Sequence, residues 1–147
     1  MEEIELRIRQ LRLGDYEAMI ALWERAGLSH RPEGRDSRAA IAAQMERDPE
    51  LFLGAFNRER LLGTLIASDD GRKGWMNRLA VDPEHRGQGI AKRLIAEAER
   101  RLRGRGRRII AVLVEDWNSA SLALFQSCGY ALDRSILYLS KRDDPAV

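Results

Sequence analysis

Polar and apolar residues alternate at the start of the chain, where Ile4, Leu6 and Ile8 are interleaved with Glu5, Arg7 and Arg9. A period of two predicts a half-buried strand. The period then lengthens: Tyr16, Met19, Ile20 and Trp23 share one stripe of a helix that Asp15 can cap and that Gly27 closes after Ala26. The polar stretch LSHRPEGRD leads to a second helix, capped by Asp36 or Ser37. It ends before Pro49, because the residue preceding a proline is biased away from helix. LFLGAF and LLGTLIAS predict two strands joined as a hairpin through Asn57-Arg58-Glu59-Arg60. Asp70-Gly71 marks a further turn, and Trp75 to Val81 predicts the next strand.

Beyond it, Ile90, Ala91, Leu94, Ile95, Ala98 and Leu102 form the apolar stripe of a helix that Gly104 and Gly106 terminate. The continuous apolar run Ile109 to Val114 predicts a strand covered on both faces. Asn118 or Ser119 caps a last helix ending at Cys128-Gly129, and Tyr130 to Ser140 is long enough for one or two closing strands. The order is strand, two helices, three strands, helix, strand, helix, terminal strands. It predicts one domain over residues 1–147, α+β or mixed α/β, built around one sheet.

Composition removes whole classes of function. With 44% hydrophobic and 33% charged residues the chain is globular in character, and no apolar run approaches the ~20 residues of a membrane span. MEEIELRIRQ lacks the zones of a signal peptide, so the expected location is cytoplasmic. One cysteine, Cys128, and two histidines, His30 and His85, argue against a disulfide or a structural metal; Cys128 reads as a small buried apolar residue. The net charge of +2 is unevenly spread, with nine basic residues from Arg86 to Arg108 against Glu97 and Glu99. Such an excess can meet an anion or simply form a solvated helix face.

The segment Arg86-Gly87-Gln88-Gly89-Ile90-Ala91 lies between a strand and a helix. A helix start offers N–H groups without intrahelical partners and the positive end of the helix dipole. Glycines let a phosphate approach the backbone, and Arg86 adds a charge that binds phosphate. The segment is not a Walker A loop, and Lys92 stands where a dinucleotide-binding fingerprint needs its third glycine.

Arg86-x-x-Gly89-x-Ala91 behind Leu79-Ala80-Val81 resembles the coenzyme A loop of the GNAT acyltransferases, Gln/Arg-x-x-Gly-x-Gly/Ala in the same strand-to-helix position. VEDWNSASLALFQSCGY resembles the second block of that family, and the element order agrees from Ile4 to Ser140. The resemblance implies the GNAT fold, a central mixed, mostly antiparallel sheet flanked by helices. It implies acetyl-CoA as cosubstrate, with Arg86, Gly87, Gln88, Gly89, Ile90 and Ala91 cradling the pyrophosphate. Leu79, Ala80 and Val81 would bond the pantetheine amides through their backbone, exposed because the next strand splays away. Lys92 can reach a phosphate, whereas Arg93 reads as solvated surface. Asn118, Ser121 and Phe125 fall on the cofactor side of the second block, although Asn118 is equally a helix N-cap.

Acetyl transfer to an amine needs a base, because amines with pKa ~10 are mostly protonated at neutral pH. Glu115, just past Val114, is the candidate, with Asp116 and Glu84 as alternatives. A backbone N–H near Ala80 and Val81 can polarise the thioester. Many family members place a tyrosine acid where this chain has Phe125, and Tyr130 at the Gly-aromatic position reads as packing. The acceptor is expected opposite the cofactor, near Trp23, His30, Arg31, Glu33 and Arg35, bordered by Asp69, Asp70, Arg72 and Trp75. The resemblance implies an N-acetyltransferase acting on a small amine, an amino acid, or a protein N-terminus or lysine. The rival reading is a non-catalytic acyl-CoA sensor, which Phe125 favours. Basic residues without interleaved aromatics argue against nucleic acid, and a homodimer stays open.

Overall fold

The computed structural model describes residues 5–145. Strands β1 (Leu6–Gln10), β2 (Phe52–Asn57), β3 (Arg60–Asp69), β4 (Gly74–Val81) and β5 (Ile110–Val112) form one sheet in the order β1-β2-β3-β4-β5. The first four pair antiparallel and β5 joins β4 in parallel. Ile4, expected in the first strand, lies outside the described residues.

β2 and β3 sit mid-sheet and are buried over most of their length. Alternation sends Phe52 and Phe56 to one face and Leu53 and Ala55 to the other, so each strand feeds two cores. On one face, α1 (Tyr16–Ala26) and α2 (Arg38–Arg47) bury Met19, Leu22, Trp23, Ile41 and Met45. On the other, α3 (Ile90–Gly104) buries Ile90, Leu94, Ile95, Ala98 and Leu102, joined by Phe125 of α4 (Ser119–Ser127). Full burial of an aliphatic or aromatic side chain stabilises by roughly 1.5–3 kcal/mol, so these stripes hold the helices to the sheet.

Local signals operate largely as expected. Gly27 closes α1 at φ 73°, the left-handed region that glycine enters without steric cost. Ser37, rather than Asp36, caps α2 by accepting from Ala40 N–H at 3.1 Å. Asp15 does not cap α1; it accepts from Arg12 N–H at 2.8 Å and pairs with Arg9 at 3.0 Å, closing the turn before the helix.

Two expectations fail on the β5 side. The strand expected over Ile109 to Val114 and covered on both faces is reduced to 110–112 and is half-buried, with Ile109 and Leu113 exposed. Tyr130 to Ser140 contains no strand. Both follow from one fact: β5 has a neighbour on one edge only, so nothing extends the ladder or covers its outer side. No helix among the described residues is long and apolar enough to cross a membrane.

Several carboxylates are held below their ordinary range. In Glu97, Arg100 and then Arg101 bring the carboxyl down to about 2. In Asp69, burial pushes upward, but the Gly71 amide, Arg107 and Arg105 outweigh it. A group whose folded pKa is depressed contributes stability above its unfolded pKa, near ~4, and loses it as pH falls through the folded value. The urea midpoint should therefore hold steady from neutral pH down to about 5 and fall between about 4 and 2. A midpoint that does not fall across that acid window would contradict these pairings.

Candidate active site

The site is organised by a bulge in β4. Thr64 pairs with Ala80 and Ile66 with Asn77, so Arg78 and Leu79 together oppose Leu65. Arg78 takes φ 53°, a strained value for a side-chain-bearing residue. Its guanidinium donates to Ser29 O and Asp36 Oδ2, both at 2.6 Å, and lies 5.3 Å from the Trp23 ring centroid. Thr64 Oγ1 accepts from Trp23 Nε1 and donates to Arg78 O, each at 2.9 Å. Asp36 also accepts from Arg31 N–H at 2.6 Å. The α1–α2 loop is thus fastened to the bulge by an ion pair whose two members are largely buried.

Thr64→Val is expected to destabilise the protein by about 1–3 kcal/mol in urea unfolding, because it leaves the buried indole N–H and a main-chain carbonyl unpaired. A cost within error of zero would show that the hydroxyl does not hold the bulge.

Beyond the bulge the sheet opens. β4 and β5 pair at Gly74–Ile110, Trp75–Ala111 and Met76–Val112, and no further. Asn77 to Val81 therefore have no strand on that edge. Asp82 N–H bonds Leu62 O at 2.8 Å, across β3. Strand amides alternate in direction, so the Val81 N–H and, by parity, the Leu79 N–H face the open edge. Glu115 lies three residues past the last paired position of β5, Val112.

Asp82 anchors the turn into the loop. Its buried carboxylate accepts from Glu84 N–H at 3.0 Å and pairs with Arg25 at 3.2 Å. Burial alone would raise its pKa, but the Glu84 amide and Arg25 together hold it below the ordinary range. Gly87 and Gly89 follow at φ 79° and 80°, and a Cβ built at either meets no atom within 4 Å. Glycine is needed there for conformation, and the space it leaves is open to a ligand. Gly89 begins α3 with no side-chain cap. The start of α3 carries orphan N–H groups at the positive end of the helix dipole, and the exposed Arg86 donates to Ala26 O at 3.4 Å. The strand edge and the uncapped helix start suit an extended ligand of amides ending in phosphates.

The remaining expected residues divide. Ile90 is buried and fixes the helix start, Ala91 is half-buried, and Gln88 and Lys92 are exposed. Leu79 and Val81 pack partly on the α3 side, and Ala80 on the α1 side. Arg93 turns toward β1, donating to Leu6 O at 3.4 Å. Asn118 Oδ1 accepts from Ser121 N–H at 3.1 Å, so this pair is occupied in capping α4. Phe125 is core, edge-on to Tyr130 at 5.2 Å. Burial raises the Tyr130 phenol, which donates to Glu99 at 2.8 Å. Glu115 and Asp116 are exposed.

Of the residues expected near the acceptor, Trp23 is a core residue, and His30 lies beside it, 3.7 Å from Glu24. Asp69, Asp70 and Arg72 sit at the start of β4, at the end opposite Val81. There Asp70 accepts from Arg72 N–H, Lys73 N–H and Trp75 Nε1, which builds a turn. Sequence reasoning passed over Arg78, Asp36 and Thr64 as a unit. The available signal was an arginine inside a strand pattern.

The model of the acetyltransferase (GNAT) family matches residues 8–130. The chain belongs to that family. GNAT acetyltransferases take their acyl group from acetyl-CoA, and the chain is accordingly an acyltransferase. It is 36% identical over 137 residues to acetyltransferase SG1711 of Sodalis glossinidius, covering 93% of this chain and 95% of that one. It is 37% identical over 125 residues to acetyltransferase plu1384 of Photorhabdus laumondii, covering 85% and 86%. Among solved structures, the PaiA N-acetyltransferase of Thermoplasma acidophilum in complex with coenzyme A superposes with a TM-score of 0.80 at 23% identity, over 88% of this chain and 92% of that one. Aminoglycoside N-acetyltransferase AAC(6')-Iy in complex with CoA gives 0.74 at 21% identity, over 96% and 97%. At those identities the two structures speak for the GNAT fold.

Proposed function

We propose that this GNAT protein is an N-acetyltransferase, acting as one domain, that moves an acetyl group from acetyl-CoA directly to a primary amine. The observation that carries the reading is the free β4 edge from Asn77 to Val81 running into the uncapped start of α3. Bound acetyl-CoA supplies an activated acetyl thioester. The chain does the rest. The N–H groups of Gly87 to Ala91, with Arg86 and Lys92, hold the pyrophosphate, and the outward N–H groups of Leu79 and Val81 bond the amide arm. A β4 N–H at the bulge end orients and polarises the carbonyl oxygen. Glu115, just past the end of β5, accepts the proton of the incoming ammonium group through water, which frees the nitrogen lone pair for attack. No acid is required of the chain, since a thiol of pKa ~8.5 is a tolerable leaving group.

The acceptor class is a small amine, an amino acid, or a protein N-terminus or lysine, reached from the α1–α2 side and within the cytoplasm. One observation favours the rival reading of an acyl-CoA-binding sensor: at the family's tyrosine position Phe125 is buried in the core.

Acetyl-CoA at a hundredfold excess over Kd is expected to raise Tm by about 5–10 °C, because a ligand of the folded state stabilises it by mass action. A panel of amines with detection of released thiol then separates the readings. Binding without thiol release toward any amine leaves the sensor, and an unchanged Tm with no heat of binding removes both.

A further inference from the structure

The loop between α1 and α2 carries an arginine whose side chain the fold does not use. Arg31 is half-buried, and its Nε is out of contact with solvent and without a hydrogen-bond partner. Only its main chain is engaged: the N–H donates to Asp36 Oδ2 at 2.6 Å, and the carbonyl accepts from Gly34 N–H at 3.0 Å and Asp36 N–H at 2.9 Å. Nearby arginines differ. Arg78 pairs with Asp36, Arg38 with Glu17 and Arg25 with Asp82, whereas the Arg31 guanidinium pairs with no carboxylate among the described residues. A guanidinium cannot lower this cost by losing its proton, and a buried donor left without an acceptor disfavours the fold.

The main chain around Arg31 is held on both sides. Ser29 O accepts from the Arg78 guanidinium at 2.6 Å, the His30 ring stands 6.5 Å from that of Trp23, and Arg31 N–H shares Asp36 Oδ2 with Arg78 Nη2. Two donors on one oxygen set the Arg31 main chain beside the β4 bulge, next to the free edge that begins at Asn77. The side chain therefore springs from a fixed point.

We propose that Arg31 receives a carboxylate of the acceptor, which makes the acceptor an amino acid rather than a plain amine, a protein N-terminus or a protein lysine. The proposal rests on the N-acetyltransferase reading above. A carboxylate offers two oxygens in one plane, and the guanidinium answers with Nε–H and one Nη–H in a matching fork. One charge meets one charge, so no further cation is needed. A phosphate brings more oxygens and up to two charges, more than a single guanidinium satisfies. Because the amine and the carboxylate belong to one small molecule, holding the carboxylate beside the bulge confines the amine to the same end of the β4 edge.

The test uses the full chain saturated with coenzyme A, following the Arg31 Nε–Hε resonance while the twenty amino acids, their carboxamides and inorganic phosphate are added separately. The expected result is a saturable shift with at least one amino acid and none with its carboxamide or with phosphate. In thiol release from acetyl-CoA, that amino acid should exceed its carboxamide in kcat/KM by about 10- to 100-fold, and Arg31→Met should make the two alike. With no acceptor added, Arg31→Met should unfold at the same urea concentration as the parent or a higher one, since it removes an unpaired buried donor. A structural arginine would lower it. Four results overturn the proposal: no amino acid moves the resonance, carboxamide or phosphate moves it equally, the kcat/KM preference survives in Arg31→Met, or that variant unfolds at clearly lower urea. A shift with amino acids but thiol release toward no amine leaves the carboxylate site standing and removes the N-acetyltransferase reading instead. If Arg31→Met fails to fold, the titration of the unmodified chain decides alone.

Discussion

Replacing Gly89 by glutamate is expected to weaken acetyl-CoA binding by about a hundredfold or more, or ~2.8 kcal/mol, while the protein remains folded. Gly89 stands at φ 80° where α3 begins, and open space lies where its side chain would be. A side chain at that φ costs roughly 1–2 kcal/mol of backbone strain. The carboxylate adds repulsion where phosphate is attracted by the helix dipole, Arg86 and the orphan amides. Gly89→Ala separates the two causes, because it carries the strain without the charge and should lose only about tenfold. Calorimetry with acetyl-CoA measures both variants, and thermal unfolding confirms the fold. Parent-like affinity in Gly89→Glu would move the phosphate site elsewhere.

The second large effect falls on turnover. Glu115→Gln should lower kcat by about a hundredfold, the usual lower range for a general base, with affinity for acetyl-CoA unchanged. Glutamine keeps the size of the side chain and loses proton acceptance. The deficit should shrink as pH rises toward the amine pKa of ~10, because more acceptor then arrives already deprotonated. That pH dependence distinguishes a base from a residue that merely shapes the strand end. Equal turnover in both proteins between about pH 6 and about pH 9 would remove Glu115 from the mechanism and turn attention to Asp116 and Glu84.

These predictions rest on features of different legibility. Gly89 was legible as a glycine between a strand and a helix, a local feature, whereas its left-handed φ of 80° came from the structure. Glu115 is named in the sequence by its place just past an apolar run, and where it stands against β4 depends on pairing between distant parts of the chain. Asn118 shows the converse. Its capping of Ser121 is local and was legible as one of two readings, and the structure shows the side chain engaged in that role.

The sequence by itself determined the element order as far as the last helix, the stripes that α1 and α3 bury, the glycine at the end of α1, the hairpin of LFLGAF and LLGTLIAS and the glycine-bearing turn from Arg86 to Ala91. Each of these is written within a few residues, where periodicity, caps and backbone preference act without help from the rest of the chain. Only the tertiary structure decided that Arg78 bends β4 while bonded to Ser29 and Asp36, and that Thr64 ties Trp23 to the same bulge. It also decided that Asp69 and Asp70 serve the turn between β3 and β4, that Phe125 is core, and that the apolar run after Tyr130 forms no strand. The physical reason is the same throughout: these outcomes depend on which groups meet across long stretches of chain, and a strand's need for a neighbour does not say which neighbour supplies it.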